Sequence, residues 1–438
     1  MPRSFLCLPG ASLLALLIAA APSASAGDSN SFSMTPAAPA PGADDALVAL
    51  ELEETQTLAV AQQPLLQAQE AAVRAARESA VAAEQLPDPQ LTAGVSNLTV
   101  NGPDRYTLQN ESDTQLTVGV MQEFPRGGKR RLRGERAQRE ADVAEQSLLA
   151  SRMQIRRDAG LAWLEVWKTE QALELVRASE REAQLQLQAA EIAYTSGRAT
   201  QAEVLAARVA LGLVQDESAN LRQQSAHYRN SLSRWIGEAA YRPLCPDLPS
   251  WGPPPEITSM LERLSTHPHL NAEARRVDLA AAEVALARQA YKPDWNVELG
   301  YGYRPNFTDY FNLKFGMDLP LFTGQRQDRA LAAKLAEQDQ AEQLRDDQLR
   351  QHAAEARLNN ADWQLLQERL KRYDTAILPQ GEQRIGAALA AWQSGQGTLT
   401  AVLDARRMAL ENRLKRLDLE LDTAKHRVNL QYLAGEQA

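Results

Sequence analysis

Four short segments constrain this chain more than anything else in it. From Trp295 to Tyr303, Val297, Leu299, Tyr301 and Tyr303 alternate with Asn296, Glu298, Gly300 and Gly302. From Tyr310 to Leu319, Phe311, Leu313, Phe315, Met317 and Leu319 alternate with Asn312, Lys314, Gly316 and Asp318. Leu91, Ala93 and Val95, then Leu116, Val118 and Val120, repeat the pattern in the first half with Thr, Gln, Gly and Ser between them. A period of two puts all apolar side chains on one face of a strand, and runs of about nine or ten residues have the length of a tilted strand that crosses a bilayer. A half-buried sheet in a soluble protein alternates in the same way. Against that reading, Tyr301, Tyr303, Tyr310 and Phe311 flank a hairpin loop as an aromatic belt does, and the helices of the chain are occupied with one another. The four segments are therefore expected to cross a membrane.

Four strands cannot close a barrel, and an open sheet edge in hydrocarbon leaves backbone groups unpaired at several kcal/mol each. The edges are expected to pair with other copies of the chain. Two copies give eight strands, a barrel filled by its own side chains; three give twelve and leave a channel. The polar hairpin loops "NLTVNGPDRYTLQNESD" and "RPNFTD" belong at the outer surface.

The strands lie inside an internal duplication. The entry segments "AVAQQPLLQAQEAAVRAARESAVAAEQLPDP" and "RLSTHPHLNAEARRVDLAAAEVALARQAYKPD" share a Pro, an Ala spacing and a closing Pro-Asp. The turns "AYTSGRATQAEVLAARVAL" and "AWQSGQGTLTAVLDARRMAL" align without a gap. Arg130 to Tyr194 holds no Pro and has an Ala-rich seam at three-and-four spacing from Ala137 onward, which predicts a helix of about 65 residues, close to 100 Å. Gln325 to Trp392 is similar in length, with Pro379 expected to kink it. Each long helix ends in Ser-Gly, where Gly197 and Gly395 can take a positive φ, and the chain returns through 201–235 and 399–433.

The resulting division is a signal peptide over 1–26, with a basic Arg3, an apolar stretch and a small-residue end, then a flexible Pro/Ala/Ser-rich leader over 27–45. A first repeat follows over 46–236, with strands at about 89–124 and a long helix pair at about 129–236. A Pro-rich linker spans 237–256, and a second repeat spans 257–434, with strands at about 294–320 and a helix pair at about 325–434. Beyond the signal, no segment approaches the apolar length of a membrane helix, so any crossing falls to the strands.

The basic run "FPRGGKRRLRGER" invites a nucleic-acid reading in a chain of 47 basic and 56 acidic residues. It has no interleaved aromatics and no matching fold signature, so nucleic acid is not an expected partner. A strand-to-helix transition accounts for it better: Pro125 and Pro320 end the ladders, Gly127, Gly128 and Gly324 allow the change of direction, and a helix begins. Arg126, Lys129, Arg130, Arg131 and Arg133 would then face lipid headgroups.

No residues suggest catalysis: there is no nucleophile beside a base, no phosphate-cradling Gly loop and no metal-spaced ligand set, so neither enzyme activity nor a cofactor is expected. Cys245 lies in "RPLCPDLP" without a neighbouring His or Asp. His267 and His269 in "THPHL" have no further His, Cys or Met clustered with them, and Pro268 suits a helix start, so capping is expected rather than metal binding. Trp163, Trp167 and Trp363 read as packing residues.

The duplicated halves, the "FPRGG" and "LPLFTG" transitions, the "PD" strand entries and the turn motifs "SGRATQAEVLAAR" and "SGQGTLTAVLDAR" resemble the TolC-type outer-membrane efflux factors, over about residues 46 to 434. The resemblance implies a mainly α protein with a membrane β part: a homotrimer whose twelve-stranded transmembrane β-barrel in the outer membrane of a Gram-negative bacterium continues into a periplasmic α-helical barrel. It implies a passive exit duct working with a periplasmic adaptor and an inner-membrane pump of the proton-driven (RND) type. "LPDPQLTAGVSNL" and "QEFPRGGKR" are most similar to members serving heavy-metal cation pumps, with drug or type I protein export as the alternative cargo. In the family, acidic residues past the turn glycine ring a constricted tip. That implies a selectivity role for Glu203 and Asp404, six and nine residues after their glycines, adaptor contact at Gly197, Arg198 and Gly395, and gate pairing between copies through Arg208 and Arg406. The rival reading is a periplasmic adaptor or coiled-coil scaffold. That class should have one helical hairpin flanked by compact β domains, whereas this chain alternates two hairpins with membrane-style strands.

Overall fold

The computed structural model describes residues 49–435. The expected signal peptide and leader lie outside the described residues. Each repeat has the same element order: α1 (Leu52–Gln62), α2 (Pro64–Ala83), β1 (Gln90–Ser96), β2 (Gln115–Phe124), α3 (Gly127–Thr195) and α4 (Gln201–Ile236) are followed by α5 (Ile257–Arg263), α6 (Pro268–Gln289), β3 (Trp295–Tyr303), β4 (Tyr310–Met317), α7 (Gln327–Arg372), α8 (Leu378–Gln393) and α9 (Leu399–Leu433). No helix among the described residues is long and apolar enough to cross a membrane.

The strands form one antiparallel sheet in the order β1-β2-β3-β4. Its register puts apolar opposite apolar along most of one face, as in Ala93↔Val118, Val118↔Tyr301, Leu299↔Leu313 and Val297↔Phe315, with Gln122 opposite Val297 as the exception near the helix end. Slipping any pair by one residue would turn a whole apolar row to the other face, so the pattern itself specifies the register. Leu91, Phe311 and Phe315 are more than 70% exposed on that face, which leaves a continuous apolar surface with no layer over it among the described residues. Both outer strands keep an edge that no described residue pairs.

The 69-residue α3 is the element on which the rest packs. Ala141, Leu148, Ile155, Ala159, Val166 and Val176 of the expected seam are buried, whereas Tyr194 at its end is exposed. Midway along, the Trp163 Nε1–H donates to the Leu50 carbonyl at 3.1 Å and the Trp167 Nε1–H to the Pro246 carbonyl at 2.8 Å. The Cys245 amide shares the Leu50 carbonyl, so a short parallel bridge, Leu50↔Leu244, ties the start of the chain to the segment after α4. In the second long helix, Pro379 is preceded by a π turn at Tyr373–Ile377. A wider turn accommodates the ring and the missing N–H without ending the helix.

Two readings need correction. Lys129 does not face the headgroups: its Nζ donates to Asp294 Oδ2 and to the Lys292 carbonyl, both at 2.7 Å, while the Arg126 amide donates to Asp294 Oδ1 at 3.0 Å. The Asp of the second "PD" entry thus clasps the start of α3, beside stacked Phe124 and Trp295. Second, the two histidines do gain a third. His352 of α7 stacks on His269 and meets His267 edge-on. Spacing in sequence could not show this, because α7 arrives from about 80 residues away.

His267 still caps α6. Its Nδ1 accepts the His269 amide at 3.3 Å, so the proton sits on Nε2, which donates to the Tyr432 carbonyl at 3.0 Å. Burial, reinforced by His352, pushes its pKa down to about 4. The folded state therefore binds fewer protons than the unfolded chain between pH 4 and 6.5. Stability should be complete above 6.5 and fall by up to about 3 kcal/mol as pH drops to 4. Melting in detergent across this range checks it: His267→Asn, which keeps a capping oxygen but cannot titrate, should flatten the slope.

Candidate functional site

The two helix reversals, α3 to α4 and α8 to α9, lie together at the end of the molecule opposite the sheet. Their loops are congruent. Gly197 has φ +74° and Gly395 φ +75°. In each the Gly amide donates three residues back (Tyr194, Trp392) and the next amide five residues back (Ala193, Ala391). This is the left-handed glycine stop in which the helix's last carbonyls are satisfied; a Cβ at either position would be strained. Ala190, Ala207, Leu399 and Val402 form a small buried cluster that joins the two hairpins.

The helix starts are not congruent. Thr200 and Glu203 make a complete capping box: the Glu203 amide donates to Thr200 Oγ1 at 3.3 Å, and Glu203 Oε2 accepts the Thr200 amide at 2.9 Å and the hydroxyl at 3.1 Å. Thr398 caps α9 by accepting the Ala401 amide at 3.3 Å, but with Ala at the third position it has no reciprocal carboxylate. Glu203 supplies one from the other hairpin: its Oε1 accepts the Leu399 amide at 3.3 Å. One carboxylate thus serves two helix N-termini 196 residues apart in the chain. The Thr200 amide, and with it the Leu399 amide, holds the Glu203 pKa below the usual carboxylate range, against a smaller opposing effect of burial.

Asp404 is exposed and has no hydrogen-bond or ion-pair partner among the described residues. The two arginines of the expected gate have partners within the chain: Arg208 binds Glu191 at 3.2 Å, and Arg406 binds Glu182, both on α3. Arg198 is exposed, with its Nε–H donating to Ser196 Oγ at 3.1 Å. Along α4, Leu205, Val209 and Leu213 are at least half exposed and line a groove over α3, with Leu403, Leu410 and Asp404 of α9 on its other side.

At the opposite end, α3 begins at Gly127, two residues after Pro125, whereas the second transition inserts a short 3-10 turn, Thr323–Gln325, before α7. Leu319, Leu321 and Phe322 around Pro320 are 58, 72 and 83% exposed, an apolar collar continuing the sheet's outward face. Among the described residues no group of three His, Cys, Asp or Glu is arranged to hold a metal ion, the histidine trio included, since both His267 nitrogens are engaged.

The sequence profile of the family described as Outer membrane efflux protein matches residues 56–238 and 262–436. No curated protein sequence matches the chain. Among solved structures, CusC is 17% identical, with 89% of this chain and 93% of that one covered, at a TM-score of 0.76. The outer membrane protein VceC from Vibrio cholerae is 22% identical, with 88% and 96% covered, at 0.74. The CmeC outer membrane channel of Campylobacter jejuni is 13% identical, with 88% and 85% covered, at 0.74. At these identities the likeness establishes the fold.

The double cap has a direct test. Glu203→Ala should cost on the order of 1 kcal/mol per helix start and raise hydrogen exchange at the Thr200 and Leu399 amides together, leaving exchange around Trp163 unchanged. Loss of protection at Thr200 alone would show that the bond to the second hairpin is not made in solution.

Proposed function

The chain belongs to the outer membrane efflux protein family, and from that premise we propose that three copies assemble into one exit duct of a tripartite efflux system. The coarse statement needs no proposal: this is an outer-membrane efflux channel with a helical part in the periplasm. The finer one is that the four-stranded sheet is a third of a twelve-stranded barrel and the paired hairpins a third of the helical tube below it. The observation that carries it is the sheet: among the described residues its apolar face is uncovered, both its edges are open, and no helix is long and apolar enough to cross a membrane. Hydrocarbon tolerates such a sheet only when it is closed, and eight strands from two copies would leave no lumen.

In this reading the tip turns at Gly197 and Gly395, with Arg198 beside them, meet the periplasmic adaptor, and an RND-type inner-membrane pump supplies the energy. The duct itself performs no reaction. Asp404 supports a ring of three carboxylates at the constriction, because its charge is unspent within the chain. Glu203 adds charge close by but is committed to the two helix starts. Arg208 and Arg406 contribute to a closed tip by bracing α4 and α9 against α3. An acidic ring favours cationic cargo, metal cations included.

Two measurements test this. The mature chain should extract from outer membranes only with detergent and sediment as a trimer; a stably folded detergent-free monomer would overturn the barrel. In planar bilayers, Asp404→Ala should raise conductance and weaken block by divalent cations a few-fold. That corresponds to about 1 kcal/mol for a unit charge pair at contact in water. Unchanged block would remove Asp404 from the pore.

A further inference from the structure

Gln56 of α1 is buried beside Leu52, Thr55 and Ala59 and is only 7% exposed, yet its carboxamide has no hydrogen-bond partner among the described residues. A buried amide without a partner is destabilising. The facing helix makes room for it all the same. Gly160 lies in the interior of α3, and a Cβ there would come within 2.7 Å of Gln56 Nε2. A glycine inside a helix is itself destabilising relative to alanine. Two elements thus give up stability at the same point.

Arg156 stands one helical turn before Gly160, on the same face of α3, which brings its guanidinium beside the carboxamide. Both side chains line one cavity of about 370 Å³ between α1, α3, the segment after α4 and the end of α9. Two further arginines of that cavity are engaged: Arg152 with Glu70 at 2.5 Å, and Arg157 with Asp158 at 2.8 Å, its guanidinium 4.5 Å over the Tyr432 ring. Arg156 has no hydrogen-bond or ion-pair partner among the described residues. One positive charge is therefore left unspent inside, while exposed Glu53, which also lines the cavity, disfavours a second negative charge on any occupant. Leu52, Val60, Leu149, Val428 and Trp251 make the remaining wall apolar.

We infer that this cavity binds a monoanionic carboxylate with an aromatic body. Arg156 and the Gln56 amide N–H donate to the carboxylate, and the body lies against Trp251 and the apolar wall. The volume is at the small end of the roughly 300 to 1,000 Å³ of small-molecule sites, which suits a bicyclic body. Arg156 is about 43 Å along α3 from Gly127 at 1.5 Å per residue. A lipid around the sheet cannot reach that far, so the ligand comes from solution. Neither the sheet nor the tip turns take part, and the site stands or falls apart from the duct. A ligand here would touch the first and last helices of the described chain and brace both against α3.

Titration calorimetry on the detergent-extracted mature chain tests the site, with naphthylacetate as the probe and naphthylacetamide, the same body without the charge, as its control. The carboxylate should bind, and the amide about tenfold more weakly or less. Arg156→Met, which keeps the apolar stem, should weaken the carboxylate about tenfold and leave the amide unchanged. Gln56→Leu should also weaken binding, and should raise the melting temperature of the unliganded protein by about 1 to 3 °C, because an unpartnered amide gives way to an apolar side chain of similar size. No binding of naphthylacetate to the unaltered chain at millimolar concentration overturns the site. So does equal affinity for carboxylate and amide, or unchanged affinity in Arg156→Met. A melting temperature lowered by Gln56→Leu assigns the carboxamide to packing and overturns its part in binding.

Discussion

The unpaired backbone at the two ends of the sheet is the constraint on which everything else depends. A strand edge in water is a liability that side chains and solvent can cover; in hydrocarbon nothing covers it but another strand. The chain presents one such edge on β1 and one on β4, with apolar rows running across all four strands. In the proposed trimer the chain alone is an incomplete folding unit. Its long helices fit that reading, since α4 carries exposed Leu205, Val209 and Leu213 along a face that no other described residue covers.

Duplication is the economical solution to closing such a sheet, because a repeat that can pair with its own duplicate can also pair with a copy. What the two halves share and what they do not share is then informative. They share register, glycine stops and threonine caps, all of which any closed ring of repeats requires. They differ at the starts of their long helices: Lys129 pairs with Asp294 at the joint inside the chain, whereas α7 is preceded by a short 3-10 turn, Thr323–Gln325.

Much of this was legible in the sequence because it is local. Strands with a period of two, Ser-Gly helix stops and the proline-free run before Tyr194 each carry their signal within a few residues, and α4 and α9 begin and end within a residue of where the pattern places them. The features that escaped notice are those made by distant segments meeting. Nothing near "THPHL" indicates His352, and nothing in the basic run after Pro125 marks Lys129 as the side chain that turns inward to Asp294. The acidic residue after Gly197 was visible, but that its second oxygen serves Leu399 could be read only once the two turns were side by side. The absence of an acidic residue at Ala401 was the available clue, since it leaves α9 with half a capping box.

That half box gives the tip its logic. If both turns carried their own glutamate, each helix start would be complete by itself, and the turns would be joined by the small apolar cluster of Ala190, Ala207, Leu399 and Val402 and, further along α9, by the Arg406–Glu182 ion pair. With a single carboxylate between them, separating the hairpins leaves the Leu399 amide to water and loosens the start of α9, the helix that carries Asp404 one turn further on. The start of the helix that carries exposed Asp404 is thereby held by Glu203. The two carboxylates look alike in the sequence, but their surroundings differ: Glu203 is committed to both helix starts, and Asp404 has no partner among the described residues.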